Sequence, residues 1–214
     1  MKTLLTIFLA AFCMYIFTES LYAQQTTTTT TTVTTKTTTV KLIRKTFPRY
    51  TFGLTGGAIF PLPKVLNQTF KPGGNFALDF GIRINKEVGI YVKSSYSFMS
   101  SKITAAPVGA YFEFTGGPRY YFTHPKLKSS LFVEAGVGGY YFRQNSYVNP
   151  GDTTGASVPQ IQNTKVGING GLGATLYLSD AVDILFKTKY NVVFTPNATS
   201  SFITVGAGFE FNIK

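Results

Sequence analysis

The chain has few of the side chains that build disulfides, metal sites and catalytic centres. Its 214 residues include one Cys, one His and no Trp, and only 14% of them are charged. A single Cys cannot form a disulfide within the chain or supply several thiolates to a structural zinc site, and a single His excludes a His-rich metal centre. Neither a phosphate-binding loop nor metal-ligand spacing is present in the sequence. We therefore expect no metal and no other cofactor.

Acidic residues are also scarce. Asp and Glu together number 9, against 20 Lys and Arg, which gives a formal net charge of +11. Such an excess ordinarily suggests a nucleic-acid partner. Much of it, however, lies in one N-terminal stretch without acids, which contains Lys36, Lys41, Arg44, Lys45 and Arg49. The positive charge is therefore local, and we expect no nucleic-acid binding.

The N-terminal stretch has the features of an export signal followed by a spacer. Lys2 precedes an apolar run from Leu4 to Phe17, and Ala23 provides a small residue for cleavage. The run is shorter than the roughly 20 residues of a spanning helix, which predicts a signal peptide over residues 1–23. Residues 24–48 are rich in Thr and predict a low-complexity periplasmic tail. A solvated spacer is the favoured interpretation, and contact with an anionic surface or sugar attachment are the alternatives.

The rest of the chain is rich in strand-forming residues that alternate between apolar and polar. Eight alternating runs lie near Tyr50 to Phe60, Gly74 to Asn85, Glu87 to Met99, Ala110 to Phe122, Ser130 to Phe142, Thr164 to Leu178, Val182 to Phe194 and Phe202 to Ile213. Long breaks (residues 61–73, 100–109, 143–163 and 195–201) alternate with short ones (85–87, 123–129 and 179–181). This pattern predicts an all-β fold, an eight-stranded antiparallel up-and-down transmembrane β-barrel over residues 49–214, with long loops outside and short turns in the periplasm.

The two faces of the predicted strands differ in composition. One face is apolar and carries no charge within the strands, as at Phe80, Val92 and Ile184. The opposite face combines Gly, Ser, Thr and Asn with five acids and six bases: Asp79, Arg83, Lys93, Glu113, Arg119, Glu134, Lys165, Asp183, Lys187, Lys189 and Glu210. Few charges among many glycines suit a narrow lumen better than a water-exposed wall. The apolar face is therefore predicted to contact lipid.

Aromatic residues cluster at the ends of the predicted strands. They are Phe60, Phe98, Tyr120, Tyr121, Phe122, Tyr140, Tyr141, Phe142, Phe194, Phe202, Phe209 and Phe211. Because aromatic rings concentrate at membrane–water interfaces, these residues are predicted to form girdles around the barrel.

The near balance of the inward charges favours a paired network that stabilises the lumen, which in an eight-stranded barrel is filled by side chains. Acid–base chemistry is the alternative, with Glu113–Arg119 and Asp183–Lys187 as the pairs to test. His124, which precedes Pro125, is expected to be a residue of a periplasmic turn, far from the outer leaflet where a lipid-modifying Ser–His site would need it. We therefore predict that the protein is not an enzyme.

Three segments resemble a known family: Gly116 to Phe122, Phe132 to Gly138 and Gly206 to Phe211. They resemble the small outer-membrane β-barrel proteins of Bacteroidetes-type Gram-negative bacteria, which are similar in architecture to the OmpA transmembrane domain, OmpX and OmpW. The resemblance implies a location in the bacterial outer membrane, in contact with its lipid. Within the first segment, Pro118 follows two glycines and predicts a β-bulge.

Two functions follow from this interpretation. The first is a non-enzymatic integral outer-membrane protein, of the porin-like barrel type, with a structural or surface-interaction role through its extracellular loops. The alternative is a narrow channel or transporter for small solutes or hydrophobic ligands. The break at residues 143–163 is the longest and most polar, so it is predicted to contact any surface partner, with residues 61–72 beside it. Two alternatives remain for this segment: a mobile loop with no partner, or a hairpin that Tyr147, Val148 and Val158 extend above the membrane.

Overall fold

The computed structural model describes residues 47–62, 69–103, 106–123, 129–148, 157–195 and 199–213. These residues all belong to one compact unit, residues 45–214. The predicted signal peptide, almost all of the Thr-rich tail and His124 lie outside the described residues. Within the described ranges, no helix is both long enough and apolar enough to cross a membrane.

The described chain forms ten strands. They are β1 (Arg49–Pro61), β2 (Gly73–Arg83), β3 (Val88–Met99), β4 (Gly109–Thr123), β5 (Ser130–Gln144), β6 (Tyr147–Val148), β7 (Ser157–Val158), β8 (Ile161–Tyr177), β9 (Val182–Val193) and β10 (Ser200–Ile213). Eight of them close into an antiparallel barrel in the order β1-β10-β9-β8-β5-β4-β3-β2, while β6 and β7 form a separate two-stranded sheet. The predicted eight-stranded up-and-down barrel is confirmed.

The register around the barrel sets the tilt of its strands. A path from Tyr141 through successive paired residues passes Phe112, Tyr96, Phe76, Gly56, Ala207, Phe186 and Ala174 and returns to β5 at Leu131. The path returns to β5 ten residues before its starting point, so the pairing around the closed barrel is staggered by 10 residues. Such a stagger requires strands that tilt from the barrel axis, typically by about 35–45°. Closure also pairs β1 with β10, so the barrel has no free edge.

The connection between β5 and β8 is shorter than predicted. Strand β5 continues to Gln144 and β8 begins at Ile161. Between them, Tyr147 pairs with Val158 in the β6–β7 sheet. The hairpin therefore extends beyond the predicted strand ends, as the alternative interpretation of this segment anticipated.

The predicted bulge at Pro118 is wrong. Gly116 pairs with Val137 and Arg119 pairs with Glu134, so the same number of residues separates the two pairs on β4 and β5. No residue is inserted, and the register is unchanged on both sides of the proline. The β4–β5 pairing omits Gly117 and Pro118, of which the proline has no N–H to donate, while both residues stay paired with β3.

The predicted faces are confirmed by side-chain exposure. Phe80 and Val92 point outward and are 44% and 41% exposed, whereas their neighbours Asp79 and Lys93 are each 3% exposed. The predicted aromatic girdle needs one correction, since Tyr121, Tyr140 and Phe202 are buried in the lumen. Their positions near strand ends were correct. Because adjacent residues in a strand point to opposite faces, only part of each aromatic run faces outward. Phe142 is half-buried and packs against buried residues of the lumen, among them Tyr111 and Phe70.

The seam that closes the barrel depends on a close approach of two backbones. Gly57 in β1 lies opposite Gly206 in β10, and a Cβ at Gly57 would overlap the backbone oxygen of Val205. We expect Gly57→Ala to lower the free energy of unfolding by about 1–3 kcal/mol, as overpacking does, measured by urea titration of the folded protein. Gly139→Ala is the matched control, because a Cβ at Gly139 would meet nothing within 4 Å. Equal losses in both variants would show that the seam is not especially tight.

Candidate functional site: the lumen

Ten of the eleven predicted lumen charges are buried. They are the acids Asp79, Glu113, Glu134, Asp183 and Glu210 and the bases Arg83, Lys93, Arg119, Lys187 and Lys189. Lys165 is the exception: it is half-buried opposite Tyr140 near the mouth of the barrel, and it belongs to none of the ion pairs formed between described residues. Without Lys165, the predicted five acids and six bases become five and five. The buried lumen therefore has no net formal charge.

Arg119 is the centre of the charge network. It lies beside Glu134 on the neighbouring strand, and its Nε and Nη2 donate to Glu134 Oε2 at 2.9 Å and 2.7 Å. The same guanidinium lies 3.7 Å from Asp79 and 3.5 Å from Glu210. A planar guanidinium with several donors suits this role. One side chain thus connects carboxylates on β2, β5 and β10.

Two lysines of β9 extend the network across the lumen. Lys187 Nζ lies 2.5 Å from Asp79 Oδ1 and 3.4 Å from Glu134 Oε1. Lys189 Nζ lies 3.7 Å from Glu134 and 3.5 Å from Glu113. Because β9 is not adjacent to β2, β4 or β5 in the barrel, all four of these contacts cross the interior rather than run along the sheet.

Glu113 is the second carboxylate shared by several donors. Lys93 lies 3.2 Å from it, and the hydroxyls of Ser95 and Thr115 each donate to it at 2.8 Å. A buried carboxylate needs such partners, because an isolated charge in a low-dielectric interior is strongly unfavourable.

The two pairs named for the acid–base alternative, Glu113–Arg119 and Asp183–Lys187, form no ion pair among the described residues. Glu113 pairs with two lysines and Arg119 with other carboxylates, while Asp183 accepts a hydrogen bond from Asn212 at 3.1 Å. The reason is geometric. Residues six and four positions apart on one strand are separated by about 20 Å and 13 Å at a rise of about 3.3 Å per residue. Their partners must come from neighbouring strands or from across the lumen.

Glycines on the inward face make room for these long side chains. A Cβ at Gly171 would lie 2.8 Å from Lys189 Cγ and 3.4 Å from Glu134 Cγ. The glycine-rich inward face predicted from the sequence therefore has a steric cause, since the barrel interior is barely wide enough for the charged side chains it holds.

Two apolar clusters, which the sequence analysis missed, enclose the charge network. The first lies towards the long connections and contains Ile59, Phe70, Met99, Tyr111, Tyr140, Val193 and Phe202. The second lies towards the short connections and contains Tyr121, Phe132 and Leu185. In the sequence, these residues can be found as aromatic or aliphatic side chains at inward positions of a strand. Phe132, between the outward Leu131 and Val133, is an example. The lumen is thus layered, with charges between apolar ends.

Tyr91 and two asparagines connect the charge network to the first cluster. The Tyr91 hydroxyl donates to Asn169 at 2.9 Å, Asn169 donates to the Tyr140 hydroxyl at 3.2 Å, and Tyr140 donates to Asn191 at 3.1 Å. The Tyr91 ring also lies 5.0 Å from Lys189 Nζ. Cations over an aromatic face are stabilised by its quadrupole, so this ring bridges the charged and apolar layers.

Phe70 covers the mouth of the barrel from outside the strands. It pairs with Ser101 in an isolated bridge, and its ring packs 5.9 Å from the ring of Phe142. Backbone hydrogen bonds from Lys71 to Ser100 (2.8 Å) and from Lys102 to Thr69 (2.7 Å) fix it there. Residues 69–71 are therefore held to residues 100–102 of the connection between β3 and β4, with Phe70 against the lumen cluster.

Arg83 occupies the opposite end of the lumen. Its guanidinium carbon lies 3.9 Å from the centre of the Tyr121 ring, and its Nη2 donates to the backbone oxygen of Lys86 at 2.5 Å. An arginine stacked on an aromatic ring and bonded to a turn fills the exit beside the short connections.

The charged groups of the lumen are buried. The side chains that form the ion pairs are at most 6% exposed. Within the described parts of the chain, no group of three or more His, Cys, Asp or Glu residues could hold a metal ion. The geometry is that of a buried ion-pair network, in which Asp79 Oδ2, Arg83 Nε and Glu134 Oε1 have no hydrogen-bond partner.

Comparisons with known proteins match the fold. No family model and no curated protein matches the chain. Among solved structures, Neisserial surface protein A (NspA) is 14% identical, with 77% of this chain and 97% of that chain covered and a TM-score of 0.54. The outer-membrane protein OprG of Pseudomonas aeruginosa is 12% identical, with 78% and 97% covered and a TM-score of 0.52. At these identities the likeness concerns architecture alone, and the chain has the fold of the small outer-membrane β-barrels.

Proposed function

We propose that this chain is an integral outer-membrane protein whose closed barrel is a non-enzymatic anchor for the loops at its long-connection end. The proposal rests on the wall of the barrel, whose outer face is apolar and whose inner face carries the buried charges. Phe76, Val166 and Leu172 are 63%, 62% and 59% exposed on the outer face. A soluble protein rarely exposes a large continuous apolar surface, whereas lipid solvates one.

The height of the apolar wall fits a membrane. On β5, the outward residues run without charge from Leu131 to Tyr141. Ten residues at about 3.3 Å each, tilted by about 40°, span about 25 Å, which is the height of the apolar band in outer-membrane barrels. The predicted signal peptide and the resemblance to Bacteroidetes-type barrels support export to that membrane, with the Thr-rich tail in the periplasm.

The filled lumen favours an anchor over the alternative of a narrow channel. Conduction through the barrel would require displacement of Phe70 at the mouth, rupture of the Arg119–Glu134 pair in the centre and movement of Arg83 at the far end. The buried, paired carboxylates equally argue against catalysis. Any specific recognition is then left to the connections above the wall, with the segment at residues 143–163 as the proposed contact for a surface partner.

A planar-bilayer recording tests this proposal. We expect purified wild-type protein to insert without unitary conductance steps, because three layers of side chains block the lumen. A preparation of a known wide porin checks the bilayer. Reproducible steps whose size changes in Lys187→Met would contradict the anchor and place ions in the lumen, since Lys187 crosses the lumen to Asp79 and Glu134.

A further inference from the structure

One edge of the β5–β8 hairpin is unpaired above the apolar wall. Strand β8 begins at Ile161, but its pairing with β9 begins only at Gly167. The contact next above that pair is a hydrogen bond from the Phe194 N–H to the Val166 carbonyl. Among the described residues, residues 161–165 pair with β5 alone. They leave an open strand edge about 17 Å long, at a rise of about 3.3 Å per residue.

The other side of the hairpin is covered. Strand β4 pairs with β5 up to Gln144, whose side-chain amide donates to the backbone oxygen of Pro107 at 3.2 Å. On the open side, residues 161–164 are all exposed and uncharged, with Pro159 before them and Lys165 after them. Proline and lysine are residues with which proteins limit edge pairing. This edge is therefore kept short, while its middle stays accessible.

The open edge presents backbone groups in a regular pattern. The N–H and C=O of one residue in a strand point to the same side, and those of the next residue point to the other side. Since the Val166 carbonyl points towards β9, the backbone groups of Gln162 and Thr164 point to that side too, where no described strand lies beside them. The edge thus offers two N–H donors and two C=O acceptors to an added strand.

A second copy of the chain does not fit this edge. Barrel strands tilt from the membrane normal by about 40°, and a symmetric pair in one membrane is related by a twofold axis along that normal. The two β8 strands would cross at about 80°, whereas paired strands are nearly aligned. An extended segment of another molecule, in contrast, can align with β8 as it binds.

Lys165 favours an acidic segment. It ends the open edge near the mouth of the barrel, and it belongs to none of the ion pairs formed between described residues. An added strand would lie about 4.8 Å from β8, so a carboxylate opposite Lys165 would be within reach of its ammonium group. Opposite charges directly across a strand pair are stabilising, and like charges are destabilising.

We propose that residues 161–165 bind an extended acidic peptide segment of a surface partner by antiparallel strand addition. This rests on the proposed function, because it requires the hairpin to stand above a membrane-embedded wall. Backbone hydrogen bonds at Gln162 and Thr164 provide the affinity, and Lys165 selects the charge. The proposal narrows the contact at residues 143–163 to one strand edge and one class of ligand.

A synthetic peptide tests this proposal. Glu-Thr-Val-Thr-Val, with a fluorophore at its N terminus and an amide at its C terminus, places its glutamate opposite Lys165 and its two threonines opposite Thr164 and Gln162. Binding to full-length protein in phosphatidylcholine nanodiscs is measured by fluorescence anisotropy. We expect saturable binding that N-methylation of both threonines weakens about thirtyfold, the usual effect of two lost hydrogen bonds. N-methylation of both valines, whose N–H groups point away from β8, is the matched control and should leave the affinity nearly unchanged.

Protein variants test the same contacts from the other side. Gln162→Pro/Thr164→Pro removes both edge-facing N–H groups and should also weaken binding about thirtyfold. Gln162→Ala/Thr164→Ala keeps the backbone and should bind as the wild type does. Lys165→Gln should weaken binding about threefold, and a peptide with Gln in place of Glu should not distinguish this variant from the wild type.

Three results would overturn the proposal: no saturable binding to the wild type, equal binding of the two N-methylated peptides, or equal losses in the proline and alanine variants, which would indicate recognition by side chains. Heat-modifiable gel mobility is measured on every sample. Failure of the wild type to insert would contradict the proposed function, whereas insertion without peptide binding would contradict only the strand-edge site.

Discussion

Glu134→Gln is expected to lower the free energy of unfolding by about 3–5 kcal/mol, the usual cost of breaking a buried ion pair by removing one partner. Glu134 is contacted by Arg119, Lys187 and Lys189, and its side chain is 0% exposed. The amide has nearly the same volume as the carboxylate, so packing is preserved. The loss comes from three cations that are left with too little negative charge in an interior that excludes water.

A second substitution separates charge balance from packing. Glu134→Gln/Lys189→Met removes one cation together with the carboxylate, and it leaves Glu113 with Lys93 as its partner. Because removal of both members of a buried pair is often neutral or stabilising, this double variant should recover most of the lost stability in urea titrations. If Glu134→Gln alone unfolded at the wild-type urea concentration, the charge network would not contribute to stability.

Phe80→Arg is expected to prevent most of the protein from assembling in lipid. Phe80 points outward in the middle of the apolar run of β2, between Leu78 and Ile82, and is 44% exposed. An arginine on the lipid face near the bilayer midplane costs about 2–4 kcal/mol. The fraction that folds into phosphatidylcholine vesicles is measured by heat-modifiable gel mobility.

The control for Phe80→Arg places the same side chain near the membrane surface. Val88 also points outward and is 38% exposed, but it is the first residue of β3, beside a short connection. There the cost of an arginine falls to about 0–1 kcal/mol, so Val88→Arg should fold nearly as well as the wild type. Equal folding yields for the two variants would show that the wall does not lie in a bilayer with the depth proposed here.

The sequence by itself determined the fold and the direction of each strand face. A period of two is a local property: Phe80 and Asp79 point to opposite sides whatever lies around them. Eight such runs with alternating long and short connections leave an antiparallel barrel as the arrangement that separates an apolar from a charged face. The alternation places the ten buried charges on one face, and the glycines among them indicate that this face lines the lumen.

Other features depended on the tertiary structure, because they arise where distant strands meet. Asp79 and Lys187 are 108 residues apart in the chain and belong to strands that are not neighbours in the sheet. Only barrel closure with a ten-residue shift brings them together across the lumen, so a search for partners along a single strand does not find this pair. The same holds for Phe70, which is buried because its backbone pairs with Ser101 and its ring packs against Phe142. Alternation specifies which face a side chain takes, whereas its partner is decided by the stagger of the closed barrel.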